Sequence, residues 1–355
     1  MKTLHLSIDP SQVETPEAKA ALGCAAAILR AGGLVALPTE TVYGLGANAL
    51  DRAAVERIFK AKQRPAWDPI IVHIADEAML EGLVEEVSEA ARRLMKAFWP
   101  GPLTLLLPRT LAVPDTVTAG RPLVGVRMPS HPVALALIRR AGVPVAAPSA
   151  NRFGHISPTT AAHVLDDLGG RIDAVLDAGP TPRGLESTVL DPSSDPMTIY
   201  RPGAVTAEQI RELAGPAELY QSSEAPQETA AEALPSPGAG LRHYAPRARL
   251  VLLEAPLHEL SARLAEAVSG ASSERPRERL GVMLPAGVAA PPGIAASRVY
   301  AWGSWSAPEE LAQRLYAGLR ALDAAGCTVI FCPLPDAKGL GAAIRDRLKK
   351  AGTRD

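Results

Sequence analysis

The stretch PEAKAALGCAAAILRAGGLVALPT, residues 16–39, decides the fold, because a helical pattern in it passes directly into a strand. Residues 16–32 read as a helix that glycine closes. The apolar run at 33–39 predicts the strand that follows. The same order returns where a helix over about 52–63 leads into a strand at 69–74. That helix must end before Pro65, since proline disfavours a helical residue in front of it.

Helical and strand patterns continue to alternate along the chain. Further apolar runs lie at 103–108, 124–129, 143–150, 173–179 and 187–191. With the helical segments between them, they predict a mixed α/β domain over residues 1–214. Residues 215–249 are rich in Ala, Glu, Pro, Gly and Ser and predict a linker. Over 250–355, apolar runs alternate with helical segments, which is typical of a small parallel-sheet domain.

The composition restricts the classes of function. Lys and Arg number 37 and Asp and Glu 38, so no overall field draws the chain to nucleic acid or to a membrane. Any anion site must therefore be local. No apolar stretch is long enough to span a bilayer, and the start, MKTLHLSIDPSQ, lacks the apolar segment of a signal peptide. We therefore expect a cytoplasmic protein without a membrane partner.

Common catalytic motifs are absent from the sequence. There is no G-x-x-x-x-G-K-[ST] phosphate loop, no G-x-S-x-G nucleophile elbow and no cluster of Cys and His. GLGANA, residues 44–49, half matches a dinucleotide fingerprint, but no well-placed acid follows it, which favours a turn-forming role. Any chemistry must therefore be carried by positioned charges.

Polar side chains stand where the apolar runs end. They are Thr39, Glu40, Thr41, Tyr43, Arg127, Ser149, Asn151, Ser187, Thr188 and Arg201. Side chains that leave the carboxyl ends of strands converge on a ligand-binding crevice in α/β proteins. Arg127 and Arg201 carry the most weight, because an arginine between apolar residues needs an anion or a carboxylate to offset its desolvation.

Structural interpretations of the same residues stay open. They are a solvated helix face for Lys60 and Lys62, a turn cap for Ser149 and Asn151, a strand edge for Thr39 and Thr41, and a core histidine for His73.

Seven motifs, in order, carry a resemblance to a known family. They are PTETVYGLG (38–46), KQRPAWDPIIVHI (62–74), WPGPLTLLLPR (99–109), VGVRMPSHP (124–132), APSANRFGHISPT (147–159), ESTVLD (186–191) and YRPGAV (200–205). Together they resemble the YrdC-like domain of threonylcarbamoyl-AMP synthases. HYAP (243–246) and GLGAAIRDRLKKA (339–351) are similar to the long, two-domain form. The resemblance implies a YrdC-like mixed-sheet α/β catalytic domain and a small Rossmann-like parallel α/β C-terminal domain.

The resemblance also implies an activity. The enzyme would be a nucleotidyltransferase that joins L-threonine, bicarbonate and ATP, with Mg²⁺ accompanying ATP, into threonylcarbamoyl-adenylate and pyrophosphate. The product would serve the N6-threonylcarbamoyladenosine modification of tRNA, which separate transfer machinery completes. Direct tRNA binding is expected to be weak or absent, in keeping with the net charge of −1.

Residue roles follow from the matched motifs. Lys62 and Arg64 resemble the K-x-R motif that holds ATP phosphates and would act in catalysis. The predicted threonine contacts are Thr39, Thr41, His73, Arg127 and Ser187, of which Arg127 would pair with the threonine carboxylate. The predicted nucleotide contacts are Lys62, Arg64, Asp68, Leu123, Ser149, Asn151, Ser157, Arg201 and Tyr244. Tyr244 would also close the linker over the site as a lid, and the metal ligands are unassigned.

Two positions depart from the family pattern. Asp68 stands where the family usually has Asn, and either helps to hold Mg²⁺ or points away. Phe153 stands where Ser is usual, with Gly154 kept. No general base is evident, so we expect catalysis by positioning and charge neutralisation. The competing hypotheses are a non-catalytic RNA-binding module, which the 4% aromatic content disfavours, and carbamoyl transfer to another substrate, which the lack of Cys clusters disfavours.

Overall fold

The chain folds into helices and strands in a computed structural model that describes residues 2–221, 236, 244–274 and 277–352. The strands are β1 (Leu4–Ser7), β2 (Val35–Leu37), β3 (Gly44–Asn48), β4 (Val72–His73), β5 (Leu103–Pro108), β6 (Leu123–Arg127), β7 (Val145–Ala146), β8 (Ala174–Asp177), β9 (Thr188–Asp191), β10 (Met197–Arg201), β11 (Ala217–Leu219), β12 (Arg249–Leu253), β13 (Leu280–Pro285), β14 (Val299–Gly303) and β15 (Val329–Pro333). The α-helices are α1 (Pro16–Arg30), α2 (Arg52–Lys62), α3 (Glu89–Phe98), α4 (Asp115–Thr118), α5 (Pro132–Ala141), α6 (Ala161–Leu168), α7 (Ala207–Ala214), α8 (Leu257–Glu274), α9 (Pro308–Ala324) and α10 (Leu340–Gly352).

These elements group into two units. The first unit comprises Met1–Phe153, Ser157–Pro182 and Glu186–Gly240. The second comprises Gly154–Ile156, Arg183–Leu185 and Leu241–Asp355. The boundaries predicted at residues 214 and 249 stay predictions, and much of the linker predicted over 215–249, with His243 of HYAP, lies outside the described residues.

Local capping chemistry sets the helix boundaries of the first unit. At the start of α1, Thr15 Oγ1 accepts a hydrogen bond from Ala18 N, and Asp51 caps α2 in the same way. Side-chain oxygens at this position pair amides that the helix itself leaves unpaired. α2 ends at Lys62, and Gln63 takes a left-handed conformation with φ 55°. The prediction that this helix ends just before Pro65 is confirmed.

Both faces of the first unit's sheet are buried. Its strand order is β1-β8-β2-β3-β7-β4-β6-β5-β9-β10-β11, with parallel pairs such as β4–β6 and antiparallel pairs such as β5–β6. In β2, Val35 and Leu37 pack in the cluster that contains α1 and α5, whereas Ala36 packs in the cluster that contains α2 and α3. Because successive strand residues face opposite ways, the sheet lies between two apolar layers.

The turn-forming role predicted for residues 44–49 is wrong. Residues Gly44–Asn48 form β3, which pairs antiparallel with β2 and with β7. A Cβ on Gly46 would lie 2.8 Å from Val145 Cγ1 and 2.9 Å from Leu37 Cδ2. Glycine is therefore required here because the neighbouring strands pack so closely, not because the chain turns.

The second unit is built around a parallel sheet with the order β12-β15-β13-β14. Leu260 and Leu264 of α8 pack with Val282, Val329 and Phe331 in its core. A large mixed sheet and a separate four-stranded parallel sheet confirm the predicted fold class. In the part of the chain that the structure describes, no helix combines the length and apolar character needed to cross a membrane.

Candidate active site

Buried polar side chains of the first unit form three groups around its central strands. The Arg127 group comprises Thr39, Glu40, Thr41, His73 and Arg127; the Lys62 group comprises Lys62, Arg64, Asp68, Ser149 and Asn151; and the Ser187 group comprises Thr104, Ser157, Glu186, Ser187 and Arg201. All of these side chains except that of Ser149 are buried. Charged residues are seldom buried unless they are paired or functional, so this concentration marks the candidate site.

The Arg127 group is organised by a guanidinium at the end of β6. Arg127 Nε donates to Gly101 O at 3.1 Å, and Nη1 donates to Thr41 Oγ1 at 3.0 Å. Nη2 lies 2.6 Å from Glu40 Oε1. In the turn after β2, Thr39 Oγ1 lies 2.8 Å from Thr41 Oγ1. The arginine predicted to need an anion therefore has one from the protein, Glu40.

His73 lies beside Arg127 in the sheet, since the two residues are register partners in β4 and β6. Burial, followed by the Arg127 charge, lowers the pKa of His73 to about 3. The imidazole is therefore neutral at physiological pH. Its Nδ1 is buried and has no hydrogen-bond partner among the described residues. His73 is therefore not the satisfied core histidine that the structural interpretation required.

The Lys62 group joins the end of α2 to the loop after β7. Lys62 Nζ donates to the backbone carbonyls of Ser149 and Asn151. Burial, followed by the neighbouring Arg64 charge, lowers the pKa of Lys62 well below its usual value. Lys62 is 1% exposed, so the solvated-face interpretation does not fit it, although Lys60 is exposed.

Asp68 faces Arg64 in the same group. Arg64 Nη2 lies 2.9 Å from Asp68 Oδ1 and donates to the Pro69 carbonyl at 2.6 Å. The Asp68 carboxylate therefore does not point away from the phosphate motif, and its contact with Mg²⁺ stays a prediction. In the described ranges, no three His, Cys, Asp or Glu side chains form a cluster that could hold a metal ion.

The Ser187 group stands just before β9. Arg201 Nε donates to Ser187 O at 2.9 Å, and Nη2 donates to Ser187 Oγ at 3.0 Å. Thr104 Oγ1 lies 2.8 Å from Ser187 Oγ. Ser157 Oγ donates to Glu186 Oε1 at 2.6 Å. Arg201 thus fixes the backbone and the hydroxyl of Ser187 at once.

Two predicted nucleotide contacts lie outside these groups. Leu123 begins β6 and packs with Ile71 and Tyr200 in a small apolar cluster. Tyr244 belongs to the second unit, where its ring stacks on Tyr316 with centroids 5.7 Å apart. The Arg347 guanidinium lies over the same ring at 5.4 Å.

Three polar residues of the site were assigned no ligand contact from the sequence, although Glu40 was expected at the crevice. Glu40 stands between two predicted threonines, Glu186 precedes Ser187, and Thr104 interrupts the leucines of LTLLLP. The same sequence feature could have identified all three as site residues. Each is a polar side chain inside a buried segment, and such a side chain needs a partner.

Comparison with known proteins places the chain in a family. A family model described as "Telomere recombination" matches residues 27–203, and one described as "Threonylcarbamoyl-AMP synthase, C-terminal domain" matches 205–353. A threonylcarbamoyl-AMP synthase from Pyrococcus abyssi is 42% identical over 327 residues, which cover 92% of each chain. One from Bacillus subtilis is 44% identical over 331 residues, which cover 92% of this chain and 91% of that one.

The chain belongs to the threonylcarbamoyl-AMP synthase family. A crystal structure of P. abyssi Sua5 complexed with L-threonine matches with a TM-score of 0.87 at 40% identity, covering 99% of this chain and 98% of that one. The resemblance, the fold class and the enzyme class predicted from the seven motifs are confirmed. The roles of individual residues stay predictions.

Proposed function

We propose that this member of the threonylcarbamoyl-AMP synthase family joins L-threonine, bicarbonate and MgATP into threonylcarbamoyl-adenylate and releases pyrophosphate. The observation that carries the proposal lies in the Arg127 group. Arg127 Nη2 and Glu40 Oε1 pair with each other, but Glu40 Oε2 and His73 Nδ1 are buried and lack hydrogen-bond partners within the described residues. Leaving such atoms unpaired costs about 1–3 kcal/mol each, so a bound ligand is expected to satisfy some of them.

A small zwitterion with a hydroxyl group suits these atoms. The Arg127 guanidinium suits a carboxylate, because its planar fork matches two carboxylate oxygens. The Glu40 carboxylate offsets the charge of an ammonium, and the neutral ring of His73 suits a hydroxyl. L-Threonine carries all three groups on adjacent carbon atoms. Thr39 and Thr41 would line the same pocket, since Thr41 already bonds to Arg127.

The Lys62 group suits the phosphates of ATP. An ammonium has three N–H donors, and Lys62 gives two of them to the carbonyls of Ser149 and Asn151. The third is available for a phosphate oxygen, whose charge also favours the protonated lysine. Arg64 would add a second cation. Ser149, Asn151, Ser157 and Arg201 would line the nucleotide, and Leu123 would give its base an apolar surface.

The chemistry requires two bond-forming steps. After the bound ammonium of threonine has lost a proton to water, the neutral amine attacks the carbon of bicarbonate, which gives a carbamate and water. A carbamate oxygen then attacks the α-phosphorus of ATP, and pyrophosphate leaves. Lys62 and Arg64 would neutralise charge on the leaving pyrophosphate, and Arg127 would hold the amino acid in position. We further propose that the product passes to separate tRNA-modifying machinery, and that the protein works in the cytoplasm.

Pyrophosphate release by the purified protein tests the proposal. MgATP is supplied throughout, while L-threonine and bicarbonate are each added or withheld, and L-valine replaces threonine as the control that lacks the hydroxyl. We expect release only when threonine and bicarbonate are both present. Release that is independent of threonine, or none from folded protein with all three substrates, would contradict the proposed function.

A further inference from the structure

The hydroxyl groups of Thr104 and Ser187 form a buried pair. Their oxygens lie 2.8 Å apart, and both residues are 0% exposed. Thr104 lies in β5, between Leu103 and Leu105, and β5 pairs in parallel with β9, which begins directly after Ser187. Among the described residues, Ser187 is the one hydrogen-bond partner of the Thr104 hydroxyl. Thr104 therefore has no evident polar role other than its contact with Ser187.

The pair holds one proton more than its hydrogen bond uses. Each hydroxyl has one proton and two acceptor lone pairs, and the bond between them consumes one proton. Arg201 Nη2 can only donate, so it occupies one lone pair of Ser187 Oγ. One hydroxyl proton is left without an acceptor in the described part of the chain. A buried donor in this state is costly unless a ligand oxygen or a water accepts from it.

The surroundings decide which residue keeps that proton. Thr104 is buried within β5, and the described residues offer its hydroxyl no acceptor other than Ser187. Ser187 stands at the strand end beside Arg201, whose charge polarises the serine O–H and makes it a better donor. Thr104 therefore donates to Ser187, the two lone pairs of Ser187 are filled, and Ser187 donates its own proton away from the pair.

We infer that Thr104 is a positioning residue that makes Ser187 an obligatory hydrogen-bond donor to a substrate oxygen. The inference rests on the proposed function, and it narrows the role of Ser187. A donor serves a carboxylate, carbonyl or carbamate oxygen, and cannot serve an ammonium group. The oxygen belongs either to threonine itself or to the carbamate that forms from it.

Paired substitutions test this role. Thr104→Val keeps the shape and removes the hydroxyl, whereas Thr104→Ser keeps the hydroxyl. Thr188→Val is the matched control, because Thr188 is equally buried but its hydroxyl bonds to Val205 O. Steady-state pyrophosphate release and thermal unfolding are measured for each variant. We expect about a ten-fold loss of kcat/KM for threonine in Thr104→Val, recovery to within about three-fold in Thr104→Ser, and an unchanged KM for ATP.

The same kinetic data show which substrate supplies the oxygen and whether Thr104 acts through Ser187. A change in KM for threonine assigns the oxygen to threonine, and a change in kcat assigns it to the carbamate. In a Ser187→Ala background, Thr104→Val should cause no further loss, since it acts only through Ser187.

Three results would overturn the inference alone. They are wild-type activity in Thr104→Val, an equal loss in Thr188→Val, and an undiminished effect of Thr104→Val in the Ser187→Ala background. Failure of the wild-type protein itself to release pyrophosphate with threonine would instead overturn the proposed function and this inference with it.

Discussion

Arg127 and Glu40 form a buried ion pair in which Nη2 lies 2.6 Å from Oε1. Both side chains are at most 5% exposed, so each charge depends on the other for compensation. The pair has a further consequence for an amino-acid substrate. The two charges of the pair offset each other, and a zwitterion bound beside them would add no net charge.

Replacement of Glu40 by Gln should destabilise the fold. The amide keeps the shape but leaves the Arg127 charge unpaired, and breaking a buried pair in this way costs about 3 kcal/mol. We expect the free energy of unfolding, measured with urea, to fall by that amount. Glu56→Gln removes an exposed partner of Arg52 and should cost about 0.5 kcal/mol or less. Equal losses in the two variants would show that the Arg127–Glu40 pair contributes no more than a surface ion pair.

The sequence was informative where one local rule decides the outcome. Pro65 predicted the end of α2, and an arginine inside an apolar run predicted the anionic partner that Arg127 has in Glu40, whereas Arg201 donates to the neutral oxygens of Ser187. In each case the cause lies within a few residues of the effect. The seven motifs also predicted the family, because seven motifs in a fixed order along the chain are improbable by chance.

Such local rules cannot predict contacts between residues that are far apart in the sequence. Thr104 and Ser187 are 83 positions apart and meet only because β5 pairs with β9. The glycines of residues 44–49 were misread for the same reason. The packing of Gly46 against Val145 follows from the pairing of β3 with β7, which the local sequence does not contain.

Asp68→Asn, which restores the residue usual in the family, should strengthen ATP binding. The Asp68 carboxylate lies 2.9 Å from Arg64 Nη2 and offsets the positive charge proposed to meet the phosphates. Removal of one such charge at several ångströms should lower the KM for ATP by about three- to ten-fold. Asp115→Asn, at an exposed partner of Arg109, is the control. An unchanged or raised KM in Asp68→Asn would count against Arg64 as a phosphate contact.

His73 should make the protein less stable in mild acid. Its folded pKa of about 3 lies below its ordinary value of 6.5, so the unfolded chain takes up a proton first as the pH falls. Stability is then lost progressively below pH 6.5, by about 2 kcal/mol at pH 5. His73→Gln cannot take up this proton.

The measurement for His73 is urea unfolding at pH 7 and at pH 5. The stability difference between the two pH values should be smaller in His73→Gln than in the wild-type protein by about 2 kcal/mol. The same substitution at the exposed His258 controls for the loss of a histidine as such. If His73→Gln lost as much stability between pH 7 and pH 5 as the wild-type protein, other groups would cause the acid sensitivity.

Lys62 should make ATP binding sensitive to alkali. Burial and the Arg64 charge lower its pKa well below the ordinary value of 10.5, so the ammonium loses its proton as the pH rises and the attraction for phosphate goes with it. We expect the affinity for MgATP, measured by calorimetry without threonine, to fall as the pH rises through the lowered pKa of Lys62. In Lys62→Arg this decline should vanish, because a guanidinium stays protonated as the pH rises. Lys60→Arg, on the exposed side of α2, should show the same decline in affinity as the wild-type protein. A decline that persists in Lys62→Arg, with its fold verified by thermal unfolding, would assign the titration to another group.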